Sequence, residues 1–221
     1  MVIDKNEVLR YLGYRGQNID ANIGNLLEEC INELQIISKG KYVYNIFGIK
    51  RCDRRIILKD TTLSLFGEDI NKHLMYSKRC ALMAVTLGLE VDKRIALYSR
   101  TDLTKGIILD ACASSAVEEL CDCVEGEIKE EAKNMGYEIT SRYSPGYGDF
   151  PIYVQKSILD VLKAYERIGL TVNENHIMIP RKSVTAVIGF QKVKCQEKND
   201  KCSGCNQKNC LYRKSGNDNG W

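Results

Sequence analysis

Between Ile23 and Ile37 the apolar side chains Ile23, Leu26, Leu27, Cys30, Ile31, Leu34 and Ile37 recur at the three- and four-residue spacing of one helix face. Asp20 or Asn22 stands where a cap belongs, and Gly40 follows the end. Ahead of this helix, Glu7 to Tyr14 reads as a short apolar arm closed by glycines. Behind it, Tyr42 to Ile49 and Arg55 to Leu58 read as a strand pair turning at Cys52-Asp53. Asp69 to Leu74 is predicted as a short helix, and the unbroken apolar run Cys80 to Gly88 as a buried strand. A long helix rich in alanine, serine and cysteine is predicted from about Lys105 to Met135, its small side chains allowing close approach of another backbone. Tyr137 to Tyr143 reads as a strand and Tyr153 to Ile168 as an amphipathic helix with Ile158, Leu159, Val161, Leu162 and Tyr165 on its apolar face. Met178-Ile179-Pro180 and the alternating Val184, Ala186, Ile188 and Phe190 close the body. Helices and strands without regular βαβ alternation predict an α+β fold, a twisted and mostly antiparallel sheet flanked by helices.

Composition narrows this picture without redirecting it. At 221 residues, 44% hydrophobic and 28% charged, the chain is long enough for a substantial core, and disorder, collagen and coiled coil are excluded as whole-chain answers. The formal charge of +3 is too balanced for a dedicated nucleic-acid binder. It is also uneven. Seven basic and two acidic residues fall between Lys192 and Lys214, so the body before them is slightly acidic. Three segments follow: 1–58 as arm, helix and strand pair, 59–191 as the main domain, and 192–221 as a basic, cysteine-rich tail.

Ten cysteines are the unusual count. With no apolar signal run at the N-terminus and no stretch long enough to span a bilayer, the expected setting is a reducing cytoplasm, without a membrane partner. Cys30, Cys112 and Cys121 fall among apolar neighbours and read as packing; Cys121 and Cys123, separated by Asp122, do not form a chelating pair. Cys195-x6-Cys202-x2-Cys205-x4-Cys210 is different: four thiolates around a Cys-x2-Cys core make a credible zinc or iron–sulfur ligand set. A basic tail that binds nothing is the alternative. His73 and His176 read as structural.

The most informative segment is Arg142-Tyr143-Ser144-Pro145-Gly146-Tyr147-Gly148-Asp149-Phe150-Pro151. Two prolines and two glycines fix an irregular loop between strand and helix, where backbone groups are exposed and a ligand can approach closely. Arg142 could clamp a carboxylate or phosphate with its planar fork. A plain connection carrying a surface arginine is the bland alternative. A dinucleotide-type glycine loop is excluded, because the third glycine and the βαβ context are both missing.

Arg142-x-Ser144-Pro145-Gly146-Tyr147-x-x-x-Pro151, then Gly169-Leu170-Thr171-x-Asn173 and Met178-x-Pro180-x-x-Ser183-Val184, resembles the activation (reactivation) domain of cobalamin-dependent methionine synthase. Looser similarity reaches back through Ala84 to Gly88, so roughly residues 60 to 190 are covered; Leu9 to Tyr14 is similar to the arm of stand-alone forms. The resemblance implies binding of S-adenosylmethionine and delivery of its methyl group to cobalamin carried by a partner methionine synthase, with an electron donor. It implies that Arg142 holds the methionine carboxylate, Ser144 makes a backbone contact, Gly146 permits close approach and Tyr147 lies toward the corrin. Glu118 would be the acidic residue at the ligand, with Glu119 one position away, and the family aspartate falls at Asp69 or Glu68. The family tyrosine after the last strand has no counterpart, since Gln191-Lys192-Val193-Lys194 intervenes. Methyl transfer from a sulfonium to cobalt needs no proton transfer, so a site without a catalytic histidine suits it. Two other functions fit the same sequence: a non-catalytic docking or corrinoid-chaperone subunit, and a redox or metal protein working through the tail cysteines.

Overall fold

The computed structural model describes residues 3–53 and 55–192. Cys195, Cys202, Cys205 and Cys210 lie outside the described residues.

The chain runs α1 (Lys5–Tyr11), α2 (Ala21–Ile37), β1 (Lys41–Cys52), β2 (Arg55–Leu58), β3 (Ser64–Phe66), α3 (Glu68–His73), β4 (Ser77–Thr86), α4 (Leu89–Thr101) and α5 (Leu103–Asn134). It continues through β5 (Glu138–Ile139), α6 (Val154–Leu162), α7 (Ala164–Ile168), β6 (Thr171–Val172), β7 (Met178–Ile179) and β8 (Ser183–Gln191). Six strands form one antiparallel sheet in the order β3-β2-β1-β4-β8-β5, and β6 and β7 form a separate hairpin. The expected α+β class and antiparallel sheet are observed.

Alternation along the central strands divides the core in two. Ala81, Met83, Val85, Ala186, Ile188 and Phe190 face a layer containing α1, α2, α4 and α5. Cys80, Leu82, Ala84 and Val187 face the other layer, with α3, α6 and α7. A strand covered on both sides carries apolar residues at consecutive positions, which is why 80–88 reads as an unbroken apolar run. α5 is the spine of the first layer. Gly106 lies so near α4 that an added Cβ would stand 3.0 Å from the Ser99 amide nitrogen, so the small side chains do serve close approach.

Several boundaries differ from the sequence reading. The arm at 7–14 is a helix, α1, capped by Asp4, whose side chain accepts from the Asn6 amide. Asp20, rather than Asn22, caps α2. The segment 89–101 forms a helix that the sequence reading passed over. The amphipathic helix at 153–168 is two helices, broken where Lys163 adopts a left-handed conformation with φ of 51°. The predicted strand at 137–143 keeps only two ladder residues plus a bridge from Tyr143 to Val187, because the Thr140 hydroxyl takes the Gly189 amide in place of a backbone carbonyl.

Cys30, Cys80, Cys112 and Cys121 are buried; Cys52 and Cys123 are exposed. Burial pushes the thiols of Cys30, Cys80 and Cys112 up to about 11, 12 and 12, which makes them inert at neutral pH. Among the described residues no group of three or more histidine, cysteine or acidic side chains is placed to hold a metal. Among them, too, no helix is long and apolar enough to cross a membrane.

Candidate functional site

The site is built where residues 140–151 leave β8 and cross toward α6. Extended backbone sends neighbouring side chains to opposite faces, and here the consequence is direct. Arg142 points to the α5 layer, while Tyr143 points to the layer of α3 and α6, where it packs with that core.

Arg142 is 8% exposed. Its Nη2 lies 3.0 Å from Glu118 and 2.7 Å from Asp122, and its Nη1 lies 3.3 Å from Glu125. Positions 118, 122 and 125 are one turn apart and share a single face of α5. Burial works against the guanidinium charge, but Cys121, Glu118, Glu125 and Asp122 together hold the group above its ordinary value. The Glu125 contact is ionic without hydrogen-bond alignment, leaving Nη1 buried without a hydrogen-bond partner. Of Glu118 and Glu119, it is Glu118 that reaches Arg142.

Beyond Ser144 and the buried Pro145 the loop turns back on itself. The Gly146 amide donates to the Phe150 carbonyl at 2.8 Å, and the Phe150 amide to the Tyr147 carbonyl at 2.9 Å. Gly146 has φ of 93°, a conformation that favours glycine, and an added Cβ would stand 3.2 Å from Ile152 Cδ1. Gly148 has φ of 53°, and a Cβ there would run into the Asp69 carboxylate. Tyr147 is 61% exposed, with its ring edge-on to Tyr143 at 6.1 Å.

Asp149 fastens the far end. Its carboxylate accepts from the Glu68 amide at 2.6 Å and the Asp69 amide at 3.0 Å, while its own amide donates to Asp69 Oδ2 at 3.3 Å. α3 begins at Gly67, which has no capping side chain, so Asp149 supplies the cap from across the chain, in the manner of a capping box. These amide donors hold the Asp149 carboxyl below its ordinary value. Of Asp69 and Glu68, Asp69 is the one whose side chain meets the loop.

Tyr143 joins the two ends. Its ring stacks on His73 at 5.0 Å and on Phe150 at 6.1 Å, and its hydroxyl donates to the Tyr147 carbonyl at 3.4 Å. Burial, and then the nearby charges of Asp69 and Asp149, push the phenol up. His73 Nε2 lies 2.9 Å from the Thr140 hydroxyl, and burial lowers its pKa to about 4, against a backbone contact with Ser141. His73 is therefore neutral at physiological pH. Buried Gln155 donates to the His176 carbonyl at 3.1 Å and accepts from Thr185 at 3.2 Å, tying α6 to β8 and the β6–β7 hairpin.

The structure thus places Arg142 with Glu118, and Asp69 with the Tyr147–Asp149 stretch, at opposite ends of one loop. Sequence reasoning reads His73 as structural and assigns no role to Asp122, Glu125, Tyr143, Asp149 or Gln155. The helical spacing of 118, 122 and 125 was a readable signal for the first two; the others depend on contacts between distant segments.

An irregular Pro-Gly-Tyr loop set on an antiparallel α+β sheet, against a long small-residue helix, defines the class. The family model for the vitamin B12-dependent methionine synthase activation domain matches residues 68–197, more than half of the chain. The chain belongs to that family. Among solved structures it is similar to one described as the MetH reactivation domain bound to AdoHcy, with a TM-score of 0.65 and 16% identity, covering 85% of this chain and 73% of that one. That likeness concerns the fold. No curated protein matched significantly.

Proposed function

We propose that the chain binds S-adenosylmethionine at the 142–149 loop and delivers its methyl group to cobalamin carried by a partner methionine synthase. The observation that carries this reading is the family match across the whole segment holding Arg142, Ser144, Gly146 and Tyr147; the similar solved structure, bound to AdoHcy, supports it. Arg142 would hold the ligand carboxylate, Glu118 its ammonium group, and Ser144 and Gly146 would line the backbone approach. Asp69 would complete the ligand side of the loop, and exposed Tyr147 would face the corrin. An electron donor would first reduce the partner's cobalt(II) to cobalt(I), whose electron pair would take the methyl group as the sulfur–methyl bond breaks and S-adenosylhomocysteine leaves. The cobalamin supplies the nucleophile; this chain binds and orients the methyl donor, a task of proximity rather than proton transfer.

The carboxylates around Arg142 favour a second reading. A ligand carboxylate must exchange with Glu118, Asp122 or Glu125 to reach the guanidinium, and a chain that never makes this exchange would be a docking subunit using the fold alone. Titration calorimetry with S-adenosylmethionine separates the two. Saturable binding by the parent, lost in a folded Arg142→Lys variant, supports ligand use. No heat at millimolar ligand leaves the docking subunit. A role for the tail cysteines in zinc or iron–sulfur binding is a separate proposal, checked by metal analysis and the visible spectrum of anaerobically purified protein.

A further inference from the structure

β1 changes its pairing side partway along. Lys41 to Gly48 pair with β4, and on the other side β2 pairs only with Ile49 to Cys52. Among the described residues, no backbone partner lies on the outer edge of residues 41–47. The Gly48 carbonyl faces outward, since it accepts from the Lys59 amide at 2.8 Å. Because strand polar groups alternate sides, the N–H and C=O groups of Tyr42, Tyr44 and Ile46 face that open edge too. The register with β4 shows no shift over this stretch, so the alternation is unbroken.

This edge is the floor of a groove of about 460 Å³ lined by residues 42–46, Glu127, Glu131 and Arg167. Its two walls carry opposite charge. On the α5 side the Tyr42 hydroxyl donates to Glu127 at 2.8 Å and the Tyr44 hydroxyl to Glu131 at 3.1 Å. On the α7 side Arg167 reaches Asn45 Oδ1 at 3.5 Å. An added strand presents alternate side chains to these walls. Residues opposite Tyr42, Tyr44 and Ile46 would meet the glutamates, and the intervening ones would meet Arg167.

We propose that the open edge of β1 is a strand-addition site for an extended segment of a partner protein whose side chains alternate basic and acidic. Backbone pairing to Tyr42, Tyr44 and Ile46 gives attachment, and the two walls select the charge pattern. A second copy of this chain fits poorly, because two-fold pairing sets Glu127 and Glu131 against their own copies and Arg167 against Arg167. The site is separate from the 142–149 loop and does not rest on ligand binding there.

The test uses the whole chain, labelled for amide exchange, and a capped peptide alternating lysine and glutamate over roughly eight residues, a typical strand length. Its control has the same composition with lysines and glutamates in separate blocks. Saturable binding of the alternating peptide, with slowed exchange at the amides of Tyr42, Tyr44 and Ile46, is expected. Tyr44→Pro, which removes an outward amide without touching the β4 ladder, should abolish it. The double variant Glu127→Lys, Glu131→Lys, which reverses the charge of the α5 wall, should weaken it by about tenfold. Circular dichroism verifies that both variants fold. Equal binding of the block peptide, no protection at millimolar peptide, or binding unchanged in both variants would overturn the proposal. So would self-association of the parent that either variant abolishes.

Discussion

The two ends of the 142–149 loop are held by different physics. Arg142 is buried, and its partners Glu118, Asp122 and Glu125 all come from one helix, so the contact is set by charge between a buried guanidinium and carboxylates that reach solvent. Asp149 is exposed, and its partners are the amides that open α3, so the contact is set by hydrogen-bond geometry at a helix end. Tyr143 stands between them on a hydrophobic footing, stacked with His73 and Phe150. A ligand entering on the Arg142 side competes with internal carboxylates. One lying along the Asp149 side would find the backbone already fixed. The loop is therefore fixed by backbone hydrogen bonds at one end and by side-chain charge at the other.

The largest effect expected comes from the middle of this arrangement. His73 keeps a lowered pKa of about 4 in the folded chain against 6.5 unfolded. Between those values the unfolded state binds more protons, so stability falls as pH drops from 6.5 toward 4, by about 3 kcal/mol in all. Urea denaturation across that range should show the slope, and His73→Phe, which keeps the stack, should flatten it. An equal slope in the variant would place the titrating group elsewhere.

Removing the charge at the buried end comes next. Arg142→Met keeps the stem but leaves three carboxylates facing one another, and a loss of about 2 kcal/mol is expected. Those carboxylates reach solvent, so added salt should shrink the difference. Unchanged stability would mean that the guanidinium does not fasten the loop to α5.

The smallest effect belongs to the exposed end. Asp149→Ala should leave the global melting transition nearly unchanged while accelerating amide exchange at Glu68 and Asp69. Its carboxyl is depressed in the folded state, so its contribution is complete above the ordinary aspartate value and is lost as pH falls through the depressed one. If Asp149→Ala destabilises as much as Arg142→Met, the contrast between the ends fails.

Much of this was legible in the sequence where one segment decides its own structure. The periodic face of α2, the continuous apolar run of β4 and the Pro-Gly loop need no distant partner to be read. The break at Lys163 was hidden because apolar spacing continues on both sides of it. The shortened β5 was hidden because a Thr140 hydroxyl replaces a ladder carbonyl, a substitution that strand propensity does not register. Arg142 and Glu118 were named from the loop and the family pattern. The carboxylates Asp122 and Glu125, and the cap Asp149 gives α3, depend on which helix face and which helix end the fold brings to the loop.

The most direct measurement follows the methyl group. A methionine synthase that lacks an activation domain, bearing cob(II)alamin, is mixed with a reductant and methyl-labelled S-adenosylmethionine, with and without this chain. Label should appear in methylcobalamin only when the chain is present, and methionine synthesis should resume. No label transfer with folded chain bound to the synthase, or equal transfer without the chain, would contradict a role in cobalamin reactivation.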